Sequence, residues 1–246
     1  MPRERNTNYQ DRTTHINHKC KDGKWKLYVI AAEGYKTEAN YFKELENQYR
    51  EKFNSSYIHV EFIDRLESGD SDPNSVYKTI IQFSQILQQQ YKLRENYDEL
   101  WLIIDTDEHD NRRECIINLA QECNTNFLYK LGLSNPCFEI WLMMHFVDLE
   151  ISLIKDYIPG ENTDKSLKDY IEESPIKKRS GICKNLLNRI HNNEHQPYYT
   201  KLIEYIPQAI TRAKKLGGCN PNNPNYPQEI GTQVYELLEK LMQEVL

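Results

Sequence analysis

The chain has 246 residues, a net charge of -6, 39% apolar and 28% charged residues, and 17 tyrosines. It is long enough to bury a core without disulfides or a structural metal, its composition is that of a globular rather than a disordered protein, and its acidity excludes a polycation that coats nucleic acid. No apolar run approaches membrane-spanning length, and the basic start, MPRERNTNYQDRTTHINHKC, has no apolar segment behind it. Neither a membrane span nor a signal peptide is therefore expected, and a cytoplasmic location is.

Residues 1–23 read as a polar arm. His15, His18 and Cys20 lie close together there, but no second half-site follows them, so a metal clip is not expected. WKLYVIAA (25–32) reads as the first strand. Thr37 is placed to cap a helix with Glu38 in its first turn, where the helix dipole favours an acid, and Phe42, Leu45 and Tyr49 form its apolar stripe. YIHVEFID (57–64) is a second strand, 68–75 a loop, and VYKTIIQFSQILQQQYKL a long second helix. ELWLIIDTD (99–107) is a third strand, NRRECIINLAQEC (111–123) a helix, and NFLYKLGLS (126–134) a fourth strand. Asn135 is then expected to cap a helix, PCFEIWLMMHF, with Pro136 at its first position.

This alternation predicts an α/β fold with a parallel, roughly four-stranded sheet flanked by helices on both faces. From about residue 148 no strand is expected. TDKSLKDYIEE, GICKNLLNRIHNN, YTKLIEYIPQAITRAKKL and GTQVYELLEKLMQEVL read as helices, and a Pro-, Gly- and Asn-rich loop at 217–229 separates the last two. The organisation expected is an arm (1–23), an α/β core (24–147) and a helical C-terminal region (148–246). The six cysteines are scattered without a CxxC pair, which predicts reduced thiols.

Charge divides along the chain. Residues 24–147 hold 13 Lys/Arg against 20 Asp/Glu, and residues 177–215 hold 9 against 2. An acidic core beside a basic segment suits a metal site next to a phosphate-backbone contact, and a solvated basic helix face suits it equally well. The candidates for backbone contact are Lys177, Lys178, Arg179, Lys184, Arg212, Lys214 and Lys215.

In an open parallel sheet, ligands bind beyond the carboxyl ends of the strands. Glu33 stands at that end of the first strand, and Asp105 and Asp107 at that of the third, so the three are expected on one edge. Residues two apart on an extended chain point the same way, so Asp105 and Asp107 would face one site while Thr106 points elsewhere. Converging carboxylates repel unless a cation neutralises them, and hard oxygen ligands suit Mg²⁺ or Mn²⁺. Such a site could serve phosphoryl or phosphodiester chemistry. An aspartyl-phosphate phosphatase is the weaker alternative, because its acid pair ends the first strand rather than the third. No Walker loop is present.

The segments EGYKTEANYF, DTDEHD and SNPCFEIWLMMHF, followed by YTK, AITRAKKL and TQVYELLEKL, together resemble the RloB family over about residues 24–246. The resemblance implies a bacterial protein encoded beside restriction-modification or abortive-infection genes. It also implies a TOPRIM-like core, the metal-binding α/β fold of topoisomerases, primases and related nucleases. Carried over, Glu33 matches the first TOPRIM acid, Asp105 and Asp107 the metal-binding pair, and Glu38 and Glu139 acids that recur in the family's motifs. Lys201, in YTK, would contact the scissile phosphate. The function implied is a Mg²⁺- or Mn²⁺-dependent endonuclease in anti-phage defence, cutting DNA or RNA, tRNA included. The chain lacks the ATPase domain that some TOPRIM nucleases carry, so a separate AAA or ABC ATPase partner is implied. A non-catalytic adaptor subunit of a defence ATPase is the alternative, and homo-oligomerisation is left open.

Overall fold

A computed structural model describes residues 24–34, 36–63, 94–106, 112–125, 129–192, 198–217, 219 and 228–245. The polar arm, the loop at 68–75, the long second helix, Asp107 and most of the 217–229 loop lie outside the described residues. The elements are β1 (Lys26–Ala32), α1 (Thr37–Ser55), β2 (Ile58–Ile63), β3 (Glu99–Asp105), α2 (Arg112–Thr125), β4 (Tyr129–Asn135) and α3 (Glu139–Phe146). They continue with α4 (Leu167–Glu173), α5 (Arg179–Asn192), α6 (Tyr198–Glu204), α7 (Ile206–Leu216), β5 (Gly231–Thr232) and α8 (Val234–Glu244), with short 3₁₀ turns at Ile154–Asp156 and Ile176–Lys178.

The strands form one five-stranded sheet in the order β2-β1-β3-β4-β5. The first four run parallel, as expected, and β5 is antiparallel to β4. The sheet is thus mixed rather than wholly parallel, and the C-terminal region contributes a strand where none was expected. Gly231–Thr232 carries no apolar alternation of its own. Its strand character comes from pairing with Ser134 and Asn135.

Alternation along β1 and β3 sends side chains to two cores. Tyr28, Ile30, Ala32, Trp101 and Ile103 join α1, α3 and the C-terminal helices in the larger cluster. Leu27, Val29, Ala31, Leu100, Leu102 and Ile104 join Ile116, Leu119 and Cys123 of α2 in the smaller one. The larger cluster runs from Tyr28 to Leu241, across the boundary drawn at 147, so the C-terminal helices complete the core of the α/β unit. A doubly covered sheet explains why the β1 and β3 sequences are apolar throughout rather than alternating.

Two helix expectations are corrected. YTKLIEYIPQAITRAKKL forms two helices, broken at Tyr205, because Pro207 lacks an N–H and sits in the first turn of α7 instead of continuing α6. Asn135 does not cap α3, which starts at Glu139 with no side-chain cap. Asn135 stays in β4, paired with Gly231, and its side chain is engaged across the sheet.

Candidate active site

The strand order makes β1 the point at which the sheet reverses direction, since β2 and β3 flank it on opposite sides. Ligands gather at such a switch point, beyond the carboxyl ends of the strands. Glu33 and Asp105 flank that point. Ala32 is registered with Ile103, and the Glu33 N–H donates to the Ile103 carbonyl at 3.0 Å, which extends the ladder by one residue. Asp105 is the last residue of β3 and half-buried.

Glu33, Glu38 and Glu139 are 8%, 7% and 8% exposed. Burial raises the Glu38 carboxyl from an ordinary 4.5 to about 7, and the nearby charges of Glu139 and Glu33 push the same way. The backbone N–H groups of Glu38 itself and of Gly34 oppose the rise by favouring the carboxylate. Glu38 therefore does two things at once. It accepts from its own N–H in the first turn of α1, and it belongs to the acidic cluster. Thr37 is not the cap expected of it but the first residue of the helix, after Lys36.

Gly34 has a specific steric role. A Cβ there would lie 2.0 Å from Glu38 Oε2 and 2.3 Å from Oε1. The space that glycine leaves is filled by the Glu38 carboxylate.

The helices bearing Glu38 and Glu139 are fastened together three and six residues further on. Tyr41 Oη and His145 Nε2 are 3.1 Å apart, and His145 Nδ1 is 2.9 Å from the Trp141 carbonyl. Burial lowers the His145 pKa to about 3, so the ring is neutral: Nδ1–H donates to the carbonyl, and Nε2 accepts from the tyrosine.

Several further residues gather at this edge without a local sequence signal. Tyr199 of α6 lies close enough to Glu38 and Glu139 for their charges to act on it, and its side chain bonds to Asn40; burial is the main cause of its raised phenol pKa. Cys137 is fully buried beside Cys183, with Glu139 and Asp105 near it; burial first, then these neighbours, hold it as a thiol, which makes it a poor nucleophile. Thr106 Oγ1 donates to Asn135 Oδ1 at 2.8 Å, and Asn135 Nδ2 donates to the Glu229 carbonyl at 2.5 Å. Only the alternation of the DTD triplet hinted that Thr106 faces away from the acids. Cys123, Cys137, Cys183 and Cys219 are buried thiols that form no disulfide.

The structure brings Glu33, Glu38 and Glu139 into one electrostatic cluster and sets Asp105 on the adjoining strand end. Among the described residues, no group of three or more His, Cys, Asp or Glu side chains is arranged to hold a metal ion. Asp107 lies outside the described residues. Lys201 sits on α6 with its ammonium 5.8 Å from the Tyr205 ring centroid.

The basic candidates differ among themselves. Lys177, Lys178 and Lys184 are exposed. Lys215 pairs with Asp148 at 3.4 Å and Glu150 at 3.1 Å, Lys214 pairs with Glu239, and Arg212 donates to the Met144 carbonyl at 2.6 Å. Arg179 is corrected as a phosphate contact. It is 3% exposed, and its guanidinium donates to the carbonyls of Ser174, Gln228 and Glu172, partners that no local pattern reveals.

Fold and site together define an α/β protein with buried carboxylates gathered at the carboxyl edge of a mostly parallel sheet. A family model of RloB-like proteins matches residues 28–241, and the chain belongs to that family. No curated protein and no solved structure matches it. No helix among the described residues is long and apolar enough to cross a membrane.

Proposed function

We propose that this protein is a TOPRIM-type, Mg²⁺- or Mn²⁺-dependent nuclease acting in the cytoplasm in bacterial anti-phage defence. It cleaves phosphodiester bonds in DNA or RNA, tRNA included, under the control of a separate AAA or ABC ATPase. The observation that carries this reading is the carboxylate cluster. Like charges buried side by side at a switch point are costly to a purely structural protein and useful to one that binds a cation.

The donor chemistry fits a hard divalent ion: Glu33 and Asp105 end neighbouring strands, and with Asp107 they would hold it. When bound, such an ion would neutralise charge on the phosphodiester and acidify a water. Glu38, titrating near neutrality, is suited to giving or taking a proton at working pH. Glu139 would keep that proton on Glu38 through its charge. Lys201 would meet the scissile phosphate, and Lys177, Lys178 and Lys184 would meet the nucleic-acid backbone, where each contact adds salt-dependent affinity.

The test is cleavage of plasmid DNA and of tRNA with Mg²⁺ or Mn²⁺, with and without the ATPase, by the parent and by Asp105→Asn. The expected result is metal-dependent cleavage that Asp105→Asn lowers by more than about 100-fold, since even groups that merely support a ligand cost 10–100-fold when lost. If neither substrate is cut with the partner present, the nuclease reading fails and the adaptor reading stands. If Asp105→Asn cuts like the parent, the site assignment fails.

A further inference from the structure

Thr106 and Asn135 are 5% and 3% exposed, and their side chains bond to each other at the carboxyl end of the β3–β4 pair. Buried polar pairs cost stability relative to well-packed apolar ones unless every group is satisfied. A valine at 106 would fill nearly the same volume and suit a strand end better. The pair therefore calls for an explanation beyond packing.

Its placement supplies one. The Thr106 N–H donates to the Ser134 carbonyl at 2.8 Å, which carries the β3–β4 ladder one residue past Asp105. The Thr106 hydroxyl then fixes that residue's rotamer against Asn135. Because successive residues of an extended chain face opposite ways, holding Thr106 on one side holds Asp105 on the other. The Asn135 amide is used at both ends: its oxygen takes the Thr106 hydroxyl, and its nitrogen donates to the Glu229 carbonyl.

Glu229 is the middle of three residues clamped in succession. Arg179 donates to the Gln228 carbonyl at 2.8 Å, and the Ile230 N–H donates to Glu172 Oε1 at 2.9 Å. The two residues that follow form β5 against the end of β4, where the Ser134 and Thr232 hydroxyls are 2.9 Å apart. A continuous set of bonds thus runs from the Asp105 strand end, through Asn135, to helices α4 and α5 of the C-terminal region.

We infer that Thr106 and Asn135 are positioning residues, which hold the Asp105 strand end in the orientation that metal ligation needs and tie it to the C-terminal region. This rests on the proposal that Asp105 is a metal ligand. Neither residue touches the ion in this scheme.

The test is Mn²⁺ binding, read from the loss of the free-ion electron paramagnetic resonance signal, in the full chain and without substrate. Parent, Asp105→Asn, Thr106→Val and Thr106→Ser are compared, with thermal melts alongside. Thr106→Val is expected to weaken Mn²⁺ binding 10–100-fold, the range for groups that orient a ligand, while Thr106→Ser, which keeps the hydroxyl, stays near the parent. If Thr106→Val does not fold, Thr106→Ala removes the same hydroxyl without crowding Asn135. Mn²⁺ binding that falls in Asp105→Asn but is unchanged in a folded variant lacking the hydroxyl overturns the inference alone. Binding unchanged in Asp105→Asn overturns the metal reading, and the inference with it. A purely structural Thr106 would lower the melting temperature and leave the affinity of the folded protein where it was.

Discussion

The two ends of the same strands treat buried acids in opposite ways. At the amino end, Asp98 is 4% exposed and surrounded by donors: the Leu27 N–H at 2.9 Å, the Arg94 N–H at 2.8 Å, and the Arg94 guanidinium at 3.3 Å. Arg94 itself stacks 4.0 Å from the Tyr97 ring centroid and donates to the Trp25 carbonyl. At the carboxyl end, Glu38 is equally buried, but two of its neighbours are other carboxylates. The difference teaches how to read a buried acid. One whose surroundings answer its charge closes the fold; one whose surroundings repeat its charge stores unfavourable electrostatics that a ligand can relieve.

Substitutions can break this contrast. The largest effect is expected for Asp98→Ala, which takes the carboxylate acceptor from two backbone N–H groups, those of Leu27 and Arg94, at a buried position. It should cost about 4 kcal/mol in denaturant unfolding. A loss below about 1 kcal/mol would place Asp98 outside the closing machinery.

Glu38→Gln should act with the opposite sign. Folded Glu38 keeps its proton to about pH 7, whereas the unfolded chain releases it near 4.5. The stability tied to that proton is complete below 4.5 and is lost as pH rises through 7. In EDTA, the glutamine variant should therefore exceed the parent by about 3 kcal/mol at pH 8, with the gap closing by pH 4.5. A gap that does not vary with pH would show that Glu38 is not strained in the folded state.

Gly34→Ala should be the mildest. The inserted methyl collides with the far end of a flexible side chain, which can swing away, so the cost should stay within about 1 kcal/mol. The sharper readout is the Glu38 carboxyl titration followed by ¹³C NMR, which should move from about 7 back toward 4.5 as the group meets water. An unmoved titration would mean that the glycine does not seat Glu38.

Much of this was legible in the sequence because it is local. The apolar runs of β1, β3 and β4 announce buried strands, and placing Glu33 and Asp105 on neighbouring ends needed only strand order. What was not legible depends on distant partners. Asn135 has the local credentials of a helix cap, yet Thr106 and Glu229 claim its side chain. Arg179 sits in a basic run, yet the carbonyls of three separated residues bury it. The β5 strand consists of two residues that qualify only through pairing. Glu38 is the instructive middle case: the helix-start reading and the site reading both describe it, since one carboxylate meets the N–H groups and the acids together.

The larger core also bears on how the protein is made. It joins Tyr28 of the first strand to Leu241 of the last helix, and the residues that clamp the acidic edge come from 172 to 232. Contacts this distant in sequence close late in folding. A chain still being synthesised holds Glu33 and Asp105 long before it can hold them in register. The acidic edge is therefore braced only once the residues up to Thr232 have joined the sheet.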